Sequence, residues 1–244
     1  MPRVATWNVE WAGRGARGAR IGEAIASFDV DVAVLTETSD HRALADGEAG
    51  GWVDAGGDWG YGEQRSRRKV AMWSRTGWTD VEVGSDGAEA GRIVVGRTTL
   101  AGRVVTVFGV CIPWRAAHVT TGRRDRAPWE EHRSFCVQLG ARLRASGQPI
   151  VVAGDFNQRI PGGRQPDTVR AALAGALEGL DIVTVGVDSD LLNHIAVSSD
   201  LQCSATDMLD PCCDGLTLTD HLGAVATLRF AADHVSRPVG RSTA

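Results

Sequence analysis

Arg3-Val-Ala-Thr-Trp-Asn-Val9 and Val32-Ala-Val-Leu-Thr-Glu37 are short apolar runs, and the segment between them decides the fold. Gly13-Arg-Gly-Ala-Arg-Gly-Ala-Arg20 reads as a loop, and Ile21, Ala24, Ile25 and Phe28 then recur at i, i+3, i+4 and i+7, one face of a helix. Strand, helix and strand within about 35 residues form a parallel-sheet unit. Beyond residue 52 the texture changes. Trp52–Ala55, Val70–Ser74, Thr79–Val83, Ile93–Leu100 and Val104–Cys111 are strand-like runs separated by Gly, Ser or Asp turns, the pattern of antiparallel hairpins or a meander. Pro113–Pro128 is a long, Arg-rich loop, of a length that compact domains keep for a use. Helices are expected at Trp129–Ala145 and Thr168–Leu177, and strands at Pro149–Ala153, Asp181–Val185, Ile195–Ser198 and Ala224–Phe230. No repeat or linker divides the chain. The expectation is one α/β domain over residues 1–230, with a loose, aperiodic tail at 231–244.

The 244 residues carry 26 Lys plus Arg against 30 Asp plus Glu, a formal charge of −4, and 43% are apolar. Such a composition excludes collagen-like, coiled-coil and disordered chains. No run approaches the ~20 apolar residues of a membrane-spanning helix. The start lacks the basic-then-apolar pattern of a secretory signal, so a cytoplasmic monomer is expected. Cys111, Cys136, Cys203, Cys212 and Cys213 lack the spacing of a zinc ribbon and are expected as reduced thiols. Lys69 is the only lysine among the 26 cationic side chains, a bias that genome composition can produce as readily as function.

Similar polar residues stand repeatedly at the ends of the apolar strands. Asn8 follows Val4-Ala-Thr-Trp7, Glu37 follows the second run, Asp155 and Asn157 follow Ile150-Val-Val-Ala-Gly154, Asn193-His194 precede Ile195, and Asp220-His221 precede the last strand. Strand ends on one edge of a layered sheet converge on a crevice. Hard oxygen donors without a thiolate point to Mg²⁺ or Mn²⁺ rather than zinc. A histidine and an Asp-x-Asn supply a proton-handling group and an oriented water, which together equip a site to hydrolyse a phosphate ester.

In these segments the sequence resembles the endonuclease/exonuclease/phosphatase superfamily, which includes deoxyribonuclease I-like and exonuclease III-like enzymes. The resemblance rests on Thr6-Trp-Asn-Val-Glu10, Leu35-Thr-Glu-Thr38, Lys69-Val-Ala-Met-Trp-Ser-Arg75, Gly154-Asp-Phe-Asn157, Leu192-Asn-His-Ile-Ala-Val-Ser198 and Thr219-Asp-His221, in the family's order. It implies a four-layered α/β sandwich of two mixed sheets flanked by helices. It further implies that Glu37 is the principal metal ligand with Asn8 and Asp220 near the same ion, that Asp155 orients or deprotonates the attacking water, and that Asn157 holds the phosphate. His221 would donate to a phosphoryl oxygen or act as acid/base.

Two departures from the family pattern stand out. Asn193 replaces the usual Asp partner of the catalytic histidine; it is expected to hold a neutral His221 by a hydrogen bond, or to be helped by Asp188 or Asp190. Cys111 occupies a position where many relatives place a Tyr or His on the phosphate, and a thiol is a weak donor, so either Arg115, His118 or another group substitutes or the activity is reduced. Arg14, Arg17, Arg20, Arg115, Arg123, Arg124 and Arg126 fall in loops that follow site-bearing strands, and guanidinium forks suit phosphate oxygens. Together with Cys111 and Trp114, whose ring is placed to stack on a base, Arg14, Arg17, Arg115, Arg123 and Arg124 are the candidate substrate contacts. Trp11 shares that role, whereas Trp7, Trp73, Phe156 and His194 are expected to be structural. The reading that follows is a Mg²⁺-dependent phosphodiesterase, a nuclease on DNA or RNA. The alternatives are a phosphatase or phosphodiesterase on a small phosphorylated molecule or lipid headgroup, and a weakened binding protein of the same fold.

Overall fold

The computed structural model describes residues 1–43, 50–62 and 64–231; the expected tail lies outside them apart from residue 231. In chain order the elements are β1 (Arg3–Ala12), α1 (Ala16–Ser27), β2 (Val32–Ser39), β3 (Gly51–Asp54), β4 (Arg67–Ser74), β5 (Thr79–Val83), β6 (Ile93–Leu100) and β7 (Arg103–Cys111). There follow α2 (Glu130–Ala145), β8 (Ile150–Asp155), α3 (Asp167–Ala176), β9 (Leu180–Ile182), β10 (Asn193–Ser198), β11 (Leu201–Leu209), β12 (Cys212–Cys213), β13 (Leu216–Thr217) and β14 (Gly223–Phe230).

Two six-stranded sheets result, in the orders β11-β14-β1-β2-β4-β3 and β5-β6-β7-β8-β10-β9. Each is mixed, because β1 runs parallel to β2 and β7 parallel to β8 while the other pairs are antiparallel. The two-residue alternation of a strand assigns the layers. Val4, Val32 and Val34 meet Val151, Ala153 and Ile195 between the sheets. Their neighbours Ala5, Trp7, Ala33 and Leu35 turn outward onto Ile21 and Ile25 of α1. Ile150 and Val152 likewise turn outward onto Phe135 and Leu139 of α2 and Leu173 of α3. Helix, sheet, sheet and helix pair are the four layers implied by the resemblance. Trp7, Leu35, Phe135 and Leu139 are almost fully buried, and removing each such side chain from water stabilises the fold by about 1.5–3 kcal/mol.

The hairpins expected over 52–111 form, but they divide between the sheets: β3 and β4 join the first, β5 to β7 the second. β11 was not anticipated. It is an edge strand with a register shift between Cys203 and Ala205 and mostly exposed side chains, so no apolar alternation marks it. The strand expected at Asp181–Val185 ends at Ile182, where the chain turns away. All five cysteines are free, as expected, and among the described residues no helix is long and apolar enough to cross a membrane.

Candidate active site

The strand alternation that builds the core also builds the site. Counting in twos from Val4, Val107, Val151 and Ile195 brings Asn8, Cys111, Asp155 and Asn193 to the inter-sheet side at one end of the sandwich. Apolar side chains there give way to polar ones, all at most 1% exposed. Register places Asp155 between Cys111 of β7 and Asn193 of β10. Gly154 makes the approach of β8 to β7 possible: its φ is 148°, and a Cβ there would lie 1.8 Å from the Val110 carbonyl oxygen.

Asp155 is fully engaged. Its Oδ2 accepts from Asn8 Nδ2 at 3.0 Å across the two sheets, and its Oδ1 accepts from the Asn157 backbone N–H at 2.8 Å. Burial pushes its pKa up and the Glu37 charge adds to that, while His221 and the two hydrogen bonds oppose. Asn157 sits in the left-handed region at φ 52°, completing the Asx turn, and its side-chain N–H donates to the Ile112 carbonyl at 2.8 Å.

Glu37 lies near the end of β2 at φ 52°, and its Oε1 lies 2.5 Å from Nζ of Lys69. Lys69 in turn stands 4.8 Å from the ring centre of Trp11 and 5.8 Å from that of Trp59. The two indoles stack at 5.7 Å and 19°. Trp11 reaches this place because β1 breaks register after Asn8, with Glu10 and Trp11 at φ 47° and 62°. The lone lysine is thus held beside the candidate metal ligand by an aromatic wall.

The turn carrying Asp220 and His221 is fastened to β1. Thr219 Oγ1 donates to the Asn8 carbonyl at 2.8 Å, and Trp7 Nε1 donates to the His221 carbonyl at 2.9 Å. His221 Nε2 lies 3.3 Å from Asp220 Oδ1. Trp7, expected as core only, therefore also positions the histidine backbone.

Other sequence expectations are redistributed. Asn193 donates to the Leu222 carbonyl at 2.8 Å, its Oδ1 is buried without a hydrogen-bond partner, and the expected bond to His221 is not formed. Asp190 holds Arg159 at 3.0 Å and Asp188 caps a turn, so neither helps His221. Cys111 is 1% exposed in the core, and burial raises its thiol to about 12; it is a wall of the site rather than a phosphate contact. Arg17 donates to the Val9 and Glu10 carbonyls and secures the end of β1. Arg123 is paired with Glu131 and Asp125, and Arg14 lies near Asp40 at 3.7 Å beside a different hollow, with His41 and Arg68. His118 is buried with its ring under Tyr61, which removes it as a substitute phosphate ligand, and Arg115 and Arg124 are exposed. Trp114 is half exposed and lines a cavity of about 330 Å³ with Trp11, Trp59, Lys69 and Arg92. His194 is structural as expected, between Thr184 and the Gln158 carbonyl. Trp59 and Arg92 were missed; the only trace of Arg92 in the sequence is Gly91 before a strand.

Among the described residues no three His, Cys, Asp or Glu side chains form a ready cage. What converges is oxygen only: the Glu37 carboxylate, the Asn8 amide and Asp155, whose burial and repulsion by Glu37 a cation would relieve. These residues fit a hard divalent ion that keeps several of its waters.

The model of the Endonuclease/Exonuclease/phosphatase family matches residues 5–221, from β1 through His221. The chain belongs to this family. The family's members are generally hydrolases of phosphoester bonds and typically use divalent metal ions. No curated protein matches the sequence. Among solved structures, an AP endonuclease from Archaeoglobus fulgidus is similar at 18% identity and a TM-score of 0.68, with 93% of this chain and 99% of that one covered. A humanized D. rerio TDP2 carrying 14 mutations is similar at 13% identity and 0.67, covering 93% and 98%. The human Nocturnin catalytic domain with bound sulfate is similar at 17% and 0.64, covering 94% and 93%. These likenesses concern the fold.

Proposed function

We propose that the chain is a divalent-metal-dependent phosphodiesterase that hydrolyses nucleic-acid phosphodiester bonds, with Mg²⁺ as its ion and Mn²⁺ as a substitute. The observation that carries this reading is the hydrogen bond between Asn8 and buried Asp155, which joins the two sheets where the ends bearing Glu37 and His221 also meet. When bound, the ion would sit at Glu37 and Asn8 and supply charge stabilisation to the phosphoryl oxygens and the leaving oxygen.

The protein's own groups do the rest. Asp155, its pKa raised by burial and its two oxygens oriented by Asn8 and the Asn157 N–H, takes a proton from the attacking water. Asn157, fixed by Ile112, keeps one amide hydrogen for a phosphoryl oxygen. His221 presents its imidazole to the phosphate, with its Nε2 3.3 Å from Asp220 Oδ1. Lys69 orients Glu37 by its ion pair.

The test is hydrolysis of bis-p-nitrophenyl phosphate, duplex and single-stranded DNA, RNA, inositol phosphates and sphingomyelin with Mg²⁺, Mn²⁺ or chelator. Metal-dependent cleavage of nucleic acid that falls by about 10²–10⁴-fold in His221→Ala supports the reading. Cleavage of the small phosphates alone replaces it with the small-molecule alternative.

A further inference from the structure

The cavity beside the Glu37–Lys69 pair contains a charge that the mechanism above does not use. Arg92 is 2% exposed and lines the cavity, yet its guanidinium has no hydrogen-bond or ion-pair partner among the described residues. Its nitrogens keep contact with the solvent of the cavity, and the natural complement of a guanidinium held there without a partner among the described residues is an anion. Its backbone is fixed on both sides: the N–H donates to Glu89 and the carbonyl accepts from Cys111, one strand from Asp155. Gly91 at φ 64° carries the chain past the Asp58 carbonyl, which a Cβ would meet at 2.3 Å, so the loop bearing Trp59 can close against Arg92.

The rest of the wall is equally selective. Among the described residues no carboxylate lines the cavity, and the charged ones that do are Arg92, Lys69 and Arg67. Lys69 is neutralised by Glu37, and Arg67 lies 4.9 Å from the Trp11 ring centre. Among the described residues Arg92 and Arg67 are left without an ion-pair partner, two positive charges that match a dianion. Trp11, Trp59 and the half-exposed Trp114 flank the cations, and Tyr61, held near Thr121 Oγ1 at 3.3 Å, forms part of the rim.

Resting on the phosphodiesterase reading, we propose that this cavity is a subsite for a phosphate monoester carried by the substrate next to the scissile bond. Arg92 and Arg67 bind the dianion, and Trp114 lies against the group that bears it. The enzyme therefore prefers substrates whose end is phosphorylated.

Two measurements test this. In the first, a thymidine dinucleotide is hydrolysed without a terminal phosphate, with a 5′-phosphate and with a 3′-phosphate. One terminal phosphate is expected to raise kcat/KM by about tenfold or more, and Arg92→Gln to bring that ratio close to one, with Arg92→Lys intermediate. In the second, tryptophan fluorescence is followed without metal as thymidine 3′,5′-bisphosphate, inorganic phosphate or thymidine is added. Saturable quenching by the bisphosphate, weakened at least tenfold in Arg92→Gln and absent with thymidine, is expected. If Arg92→Gln does not fold, Arg67→Gln at an exposed position carries the test and should lower both signals severalfold. With the phosphorylated dinucleotide added to the same metal-free titration, tighter binding of it than of the small phosphates assigns a strand end, and equal binding assigns a small phosphorylated molecule. No preference for a terminal phosphate together with quenching that survives Arg92→Gln overturns the subsite. Binding without cleavage of any diester overturns the phosphodiesterase reading and leaves the subsite standing.

Discussion

Asn193 shows how one atom changes the behaviour of a site. The amide nitrogen donates to the Leu222 carbonyl, just after the turn of Asp220 and His221, while Oδ1 is buried without a hydrogen-bond partner among the described residues. An aspartate there, the residue the resemblance leads one to expect, loses the donor and sets a carboxylate oxygen against a carbonyl. Asn193→Asp should therefore destabilise the fold by about 1–3 kcal/mol in urea unfolding near neutral pH; an unchanged midpoint would show that the Leu222 contact contributes nothing. Sequence reading named Asn8, Glu37, Asp155, Asn157 and His221 from residue type and strand position, residues that the fold brings to one end of the sandwich. It did not reach Arg92 or Trp59, because their roles depend on loops closing over them. It assigned Arg17 and Arg123 to the substrate because a sequence shows charge but not the carboxylate or carbonyl that already holds it.

Among the elements, β8 bears the tightest constraint. Gly154 places the strand against β7 and delivers Asp155 in register with Cys111 and Asn193. Gly154→Ala forces a Cβ into the Val110 carbonyl at a backbone angle that L-residues rarely adopt, so a loss of about 2–4 kcal/mol is expected, with activity falling further than the unfolded fraction accounts for. Thermal melts beside activity per folded molecule measure both. The strands that are continuous apolar runs, such as β2, β7 and β8, were legible because burial on both faces writes itself into composition. β11 was not, since an edge strand with a bulge needs no such pattern.

For the whole molecule, acid stability is set by buried histidines. His132 and His194 are neutral inside the fold, and burial lowers each to about 4 from an ordinary value of 6.5. His132 offers its Nε2 as acceptor to Gln158 and donates from Nδ1 to the Pro113 carbonyl, so a second ring proton has no acceptor. Between pH 6.5 and pH 4 the unfolded chain binds more protons at these sites than the folded one. Stability is therefore fully present above pH 6.5 and declines as the pH falls toward 4, by about 1–3 kcal/mol for each histidine. Urea midpoints across that range should fall; a flat profile would mean that the rings accept the proton in place.

The hydrogen bonds that close the site join residues 147, 211 and 214 positions apart: Asn8 with Asp155, Asn8 with Thr219 and Trp7 with His221. Catalytic competence is thus a late event in the life of each molecule, since such distant contacts form only after most of the chain has been ordered. During refolding, the return of hydrolysis should lag behind the return of the far-ultraviolet signal. A newly made chain has no assembled site until β14 has docked beside β1.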